Sequence, residues 1–243
     1  MPRKSAKAQP ASIRKSKMSL TPKVVPIRSE RPINVNIQFH PKTENQKLLV
    51  KALNSNEVVL AIGPAGVGKS YIAIAYALQM LMGNKIERIL LTRPAINCGE
   101  EYGFLPGDMD EKLGPLMSPM LDILEDFLGG TLLDRLMDMG KIEVAPLGFI
   151  RGSTFKDCVI IGDEFQNATK AQTYMFLSRI GENAKIILSG DIRQCDIPPE
   201  QSGLIDLMKR VENEPDFEIV SFTSADCLRS RMARRIIEIY EKD

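Results

Sequence analysis

Residues 58–70 read Val58-Val59-Leu60-Ala61-Ile62-Gly63-Pro64-Ala65-Gly66-Val67-Gly68-Lys69-Ser70, an unbroken apolar run that enters a glycine-rich octet. A short continuous apolar segment bounded by turn residues predicts a strand buried on both faces, as in a parallel sheet. The octet fills the GxxxxGK[ST] template, and a helical pattern begins near Lys69, so strand, loop and helix stand in the order that template requires. Gly63, Gly66 and Gly68 allow the backbone of Gly63, Pro64, Ala65, Gly66, Val67 and Gly68 to curl until successive N–H groups point at phosphate oxygens. The following helix adds its positive end. Lys69 is expected to span a β- and a γ-phosphate, and the Ser70 hydroxyl to take one position on Mg²⁺.

Working outward, Val159-Ile160-Ile161-Gly162-Asp163-Glu164 is a second buried strand, ending in two carboxylates. Asp163 suits the second magnesium anchor, through water, and Glu164 suits a general base that orients the attacking water. A third strand, Ile186-Ile187-Leu188-Ser189, runs into Gly190-Asp191-Ile192-Arg193-Gln194, where Gln194 is placed to bond a γ-phosphate or the water. Asp191 is either a turn former or a direct participant. Strands are predicted at Val58–Ile62, Ile89–Thr92, Ile142–Ala145, Cys158–Ile161, Lys185–Ser189 and Phe217–Ser221, with helical stretches between most of them. That alternation predicts an α/β domain, a mostly parallel sheet with helices on both faces. Ahead of it, Val35, Ile37 and Phe39 alternate with polar residues and predict a half-buried strand, and Asn45 to Leu53 predicts a short helix. From Leu116 to Met139, leucine and methionine recur at helical spacing, broken at Gly129-Gly130; this is core packing or a subunit interface.

The chain has 243 residues with 44% hydrophobic and 26% charged, the proportions of an ordinary globular protein, which excludes collagen, wholesale disorder and a disulfide miniprotein. Its longest apolar runs fall far short of a membrane span. Cys98, Cys158, Cys195 and Cys227 lie far apart, and His40 is the sole histidine, which argues against a zinc site and against histidine-assisted nucleophilic catalysis. Met1 to Ser19 holds no apolar stretch of the kind a secretory leader carries, so the expected location is cytoplasmic. The net charge of +1 hides an asymmetry: residues 1–33 carry nine Lys/Arg against one acid. Five prolines fall in the same stretch, so 1–33 reads as a flexible basic arm and 34–243 as the folded domain. Such an arm serves either a nucleic-acid backbone or solubility.

Taken together, Gly63–Ser70, Leu91-Thr92-Arg93-Pro94-Ala95, Gly103-Phe104-Leu105-Pro106-Gly107-Asp108, Ala145-Pro146-Leu147, Arg151-Gly152-Ser153-Thr154-Phe155, Asp163-Glu164-Phe165-Gln166-Asn167 and Gly190-Asp191 with Gln194 resemble the PhoH family over about residues 40–242. The resemblance implies a cytoplasmic ATP-binding protein, a single RecA-like P-loop NTPase domain related to the first lobe of superfamily-one helicases, with RNA or single-stranded DNA as partner. It also implies adenine recognition by Gln46. Two positions depart from the family's usual pattern, which more often has Leu at Gly162 and Ala at Phe165; neither removes a catalytic group. Some relatives add a PIN-type nuclease, for which these 243 residues leave no room, so intrinsic ribonuclease activity is not expected.

Only 49 residues follow Gln194, too few for the second lobe that completes a helicase site. A stabilising arginine should then come from a neighbouring copy in a head-to-tail homo-oligomer, a hexamer by kinship. Arg229, in a segment of the family form Thr-x-x-Asp-x-x-Arg, is the first choice, with Arg151 and Arg179 behind it. Arg93 and Arg151 are candidate nucleic-acid contacts, a structural ion pair being the equal alternative for Arg93. Met232, Ile236, Ile239 and Tyr240 mark the apolar face of a final helix. Two other function classes stay open: a nucleotide-dependent assembly switch without motor activity, and a kinase, against which Glu164 and Gln194 argue by favouring water as acceptor.

Overall fold

The computed structural model describes residues 35–95, 109–150 and 154–228, with 232, 235, 236 and 239, and gives side chains from residue 114 onward in the second stretch. Each predicted apolar run becomes a strand: β1 (Val58–Ile62), β2 (Arg88–Arg93), β3 (Ile142–Pro146), β4 (Cys158–Gly162), β5 (Ala184–Gly190) and β6 (Phe217–Ser221). They form one sheet in the order β3-β2-β4-β5-β1-β6 with every pairing parallel. β1 and β4 are buried at every residue, which is why they read as unbroken apolar runs instead of alternating ones. Placing β5 between the glycine-loop strand and the acidic strand gives the single RecA-like α/β domain that the motifs imply.

Helices α1 (Glu44–Ser55), α2 (Lys69–Met82), α3 (Met109–Leu128) and α4 (Gly130–Asp138) cover one face, and α5 (Lys170–Leu177) and α6 (Gly203–Arg210) the other. The pleat sorts the strand residues accordingly: Val59 and Ala61 join the first core with Leu49, Ile74 and Leu124, while Val58, Leu60 and Ile62 join the second with Phe165, Phe176 and Leu204. Met117, Met120, Leu124, Leu133 and Leu136 are buried in the first core, so the leucine and methionine stretch packs internally, and its break falls at Gly129, whose φ of 71° is left-handed. By contrast, Met232, Ile236 and Ile239 lie in helical backbone with their side chains exposed.

One expected element is absent: residues 35–39 form no strand. Only Ile37 of the three alternating residues is buried, and its carbonyl oxygen accepts from Gln79 Nε2 on α2 at 2.9 Å, so a helix side chain takes the place of a neighbouring strand. The basic arm, residues 103–108, Arg151 and Arg229 lie outside the described residues.

Candidate functional site

At the carboxyl ends of the parallel strands, the chain turns away from the sheet and the candidate residues gather. Backbone bonds tie these turns together: Gly63 N–H donates to Gly190 O (3.0 Å), Phe222 N–H to Ile62 O (2.7 Å) and Asp163 N–H to Thr92 O (2.9 Å). Gly63, with φ 147°, sits so close to its neighbour that an added Cβ would lie 2.5 Å from Phe222 O and 2.7 Å from Phe222 Cβ. Only glycine fits there without a shift of the β6 end.

The glycine loop closes onto α2 through Gly68, whose φ of 89° no β-branched residue would adopt, and α2 starts without a side-chain cap. α1, α5 and α6 differ in this respect, since Thr43, Thr169 and Ser202 each cap the first turn. A curled loop followed by an uncapped helix start is the arrangement that receives phosphate oxygens. Within the curl, Lys69 Nζ donates to Gly63 O (2.6 Å) and Pro64 O (2.8 Å). The expected base-reading residue, Gln46, is buried against the loop: Nε2 donates to Val67 O (2.9 Å) and Oε1 accepts from Lys42 N–H (2.6 Å).

Ser70 and Asp163 are 93 residues apart in sequence, yet Ser70 Oγ donates to Asp163 Oδ1 at 2.7 Å. Ser189 Oγ, at the end of β5, donates to the same oxygen at 2.6 Å. A hydroxyl and a carboxylate side by side are hard oxygen donors of the kind Mg²⁺ selects, and Mg²⁺ takes one or two protein ligands and completes its shell with phosphate and water. No group of three or more His, Cys, Asp or Glu gathers in an all-protein cage among the described residues. These donors therefore fit a magnesium–nucleotide complex.

Glu164 leaves β4 in the left-handed region (φ 49°, ψ 38°), which turns its side chain away from the strand line and toward β2. There Oε1 pairs with Arg93 Nη2 at 3.1 Å, and Oε2 accepts from Gln166 Nε2 at 2.6 Å. Arg93 also donates to Leu116 O on α3 at 3.1 Å. Of the two readings of Arg93, the ion pair is the one present in this geometry. Gln194 Nε2 donates to Asp191 Oδ2 (2.9 Å) and Arg193 N–H to Asp191 Oδ1 (3.1 Å), so Asp191 shapes the loop that presents Gln194. Arg179 donates to Ile150 O at 2.6 Å, away from these groups.

Three contributors were not singled out by the sequence: Ser189, Gln166 and the pair Asn45–Asp226. The last joins residues 181 apart, with Asn45 Nδ2 donating to Asp226 Oδ2 at 2.7 Å. Burial works against the Asp226 charge, but donors from Thr223 N–H, Thr43, Asn45 and the Thr223 hydroxyl outweigh it and hold its pKa below the usual carboxylate value. The same segment continues to Leu228, whose N–H donates to Gly66 O at 3.1 Å, so the stretch that follows β6 is fastened to the glycine loop.

The model of the family described as PhoH-like protein matches residues 38–241. A PhoH-like protein of Mycobacterium tuberculosis is 43% identical over 205 residues, 84% of this chain and 58% of that protein. The PhoH-like protein of Bacillus subtilis is 42% identical over 202 residues, covering 83% and 63%. Protein PhoH of Escherichia coli is 41% identical over 202 residues, covering 82% and 57%. The chain thus spans about three fifths of the length of these curated relatives. Among solved structures, the UvsW helicase of bacteriophage T4 aligns with a TM-score of 0.49 and 17% identity over 78% of this chain and 62% of that one.

Proposed function

The chain belongs to the PhoH family, and from that membership and the geometry of the strand ends we propose that it is a Mg²⁺-dependent ATPase, hydrolysing ATP to ADP and phosphate. The observation that carries the reading is the meeting of Ser70 Oγ and Asp163 Oδ1 at 2.7 Å beside an uncapped glycine-loop helix. In this mechanism the loop N–H groups and Lys69 hold the phosphates, with the Lys69 ammonium exchanging its loop carbonyls for phosphate oxygens. Ser70 and Asp163 hold the cation, Asp163 in position through Ser189. Mg²⁺, when bound, neutralises charge on the β- and γ-phosphates. Glu164 accepts the proton of the attacking water, and Gln194, on the loop that Asp191 shapes, contacts the γ-phosphate or that water. Gln46, buried under the loop with both ends of its amide engaged, reads the adenine only on exchanging Val67 O or Lys42 N–H for the base.

The protein works in the cytoplasm on RNA or single-stranded DNA as a homo-oligomeric ring, a hexamer, with Arg229 reaching the γ-phosphate of the neighbouring copy and Arg151 and the basic arm meeting nucleic-acid phosphates. Arg93 joins them only on leaving Glu164. Among the described residues no helix is long and apolar enough to cross a membrane.

Steady-state phosphate release with ATP and Mg²⁺, with and without single-stranded RNA or DNA, tests both parts. The expected result is turnover that one nucleic acid stimulates, that Glu164→Gln lowers at least about 100-fold, and that loses its stimulation when residues 1–33 are removed. Turnover indifferent to either nucleic acid, with oligomer size following the bound nucleotide, would replace the motor with an assembly switch.

A further inference from the structure

Gln166 sits in the short 3-10 turn after Glu164 and is 1% exposed, so it touches no substrate. Its amide is nevertheless engaged on all sides by groups that the proposed hydrolysis uses. Nε2 donates to Glu164 Oε2 at 2.6 Å and toward Gln194 O at 3.2 Å, while Oε1 accepts from Asp191 N–H at 3.1 Å. Only one orientation of the amide satisfies these contacts, because the flipped form would set its oxygen against a carboxylate and a carbonyl and its nitrogen against an N–H. The backbone makes room for it, since a Cβ at Gly190 would lie 2.6 Å from Gln166 Oε1.

We infer that Gln166 is a positioning residue that fixes the Glu164 carboxylate and couples it to the Asp191–Gln194 loop after β5. The inference rests on the reading of Glu164 as the base. Arg93 grips one carboxylate oxygen through a half-exposed ion pair, and Gln166 grips the other through a short bond to an ionised acceptor, the stronger kind. Since the same amide nitrogen holds Gln194 O, a shift of the loop that carries Gln194 moves the base with it. Arrival of a γ-phosphate at Gln194 is thereby conveyed to the residue that must face the water, through one buried side chain.

The test uses the full chain, with Gln166→Met, which keeps length and loses the donor, and Gln166→Glu, which keeps shape and reverses the donor to an acceptor. Both should lower kcat by about 10- to 100-fold, the worth of a hydrogen bond to a charged group. KM for ATP and binding of ADP with Mg²⁺ should stay within about twofold, because the glycine loop is untouched. In a Glu164→Gln background, single-turnover rates with and without Gln166→Met should differ by less than about twofold, since a residue acting through Glu164 has nothing left to act through. Unchanged kcat in both variants, a loss confined to KM, or losses that multiply in the double variant would each overturn the inference. Should Gln166→Met fail to fold, Gln166→Glu decides. If Glu164→Gln keeps wild-type turnover, the reading of Glu164 as the base falls, and the inference with it; if Glu164→Gln is dead and the Gln166 variants are normal, only the coupling does.

Discussion

Gly162 and Phe165 share one space at the end of β4, so substitutions at the two positions are coupled. A Cβ on Gly162 would lie 2.6 Å and 2.8 Å from the Phe165 ring and 3.0 Å from Leu188 Cδ2. The Phe165 ring, fully buried and 5.3 Å from the Phe176 ring centroid, occupies the space of the missing side chain. Gly162→Leu alone should therefore overpack the site and cost about 1–3 kcal/mol or more. Phe165→Ala alone should leave a cavity and cost about 3–5 kcal/mol. Independent effects would sum to about 4–8 kcal/mol, a large share of a stability of about 5–15 kcal/mol. Made together, however, the substitutions remove six ring carbons and add four leucine carbons. The net deficit is about two methylenes, or about 2 kcal/mol. Equilibrium urea unfolding of wild type, both single variants and the double variant measures the difference. With a slope of about 2 kcal/mol per molar, the double variant should melt about 1 M or more above the additive expectation. A double-variant midpoint at the additive value refutes the shared-space argument.

Three further outcomes are expected. Gly63→Ala, forced against Phe222 in a left-handed conformation, should destabilise the fold by about 2–4 kcal/mol and abolish nucleotide binding, while Gly148→Ala, with nothing within 4 Å, should change neither; thermal melting with and without ATP and Mg²⁺ separates them. Asp226 has a folded pKa below its unfolded value, so its contribution to stability is fully present above about pH 4 and fades as pH falls through the folded value; Asp226→Asn should lower the urea midpoint at pH 7 and converge on wild type in acid. Asp163→Asn should raise the Mg²⁺ concentration needed for half-maximal turnover at least about tenfold, read by magnesium titration of phosphate release, and a shift under twofold would remove Asp163 from the cation site.

The inner strands were legible because a parallel strand buried on both faces leaves an apolar run, whereas the edge strands β3 and β6 show apolar residues around an exposed Glu143 and Glu218; boundaries moved by one residue at either end at most, as at β2 and β5. Val35, Ile37 and Phe39 misled because alternation needs only one buried residue to look like a strand, and α2 rather than a strand receives that carbonyl. In the site, the motif residues were readable from local order, since a glycine loop, an acidic strand end and a Gly190-Asp191 turn each declare themselves within a few residues. What escaped was pairwise: Ser189 finding Asp163, Asn45 finding Asp226, and Gln166 joining two loops. Such meetings are set by strand order, which a single sequence does not encode in any local period. Arg93 illustrates the limit, because its type and place suited phosphate as well as carboxylate, and only the left-handed turn at Glu164 brings the carboxylate within 3.1 Å.

The insertion of β5 between β1 and β4 has a metrical consequence. Neighbouring strands stand about 4.8 Å apart, so the glycine loop and the acidic pair spring from positions about 9–10 Å apart, with Ser189 and Gly190 on the mark midway. Side chains fill that interval, Ser70 from one side and Asp163 from the other, but the interval itself is a multiple of the peptide hydrogen bond. The sheet acts as a ruler: substitutions can change which group stands at each graduation, while the gauge of the site, and hence the size of the phosphate–cation unit it can straddle, is fixed by the backbone alone.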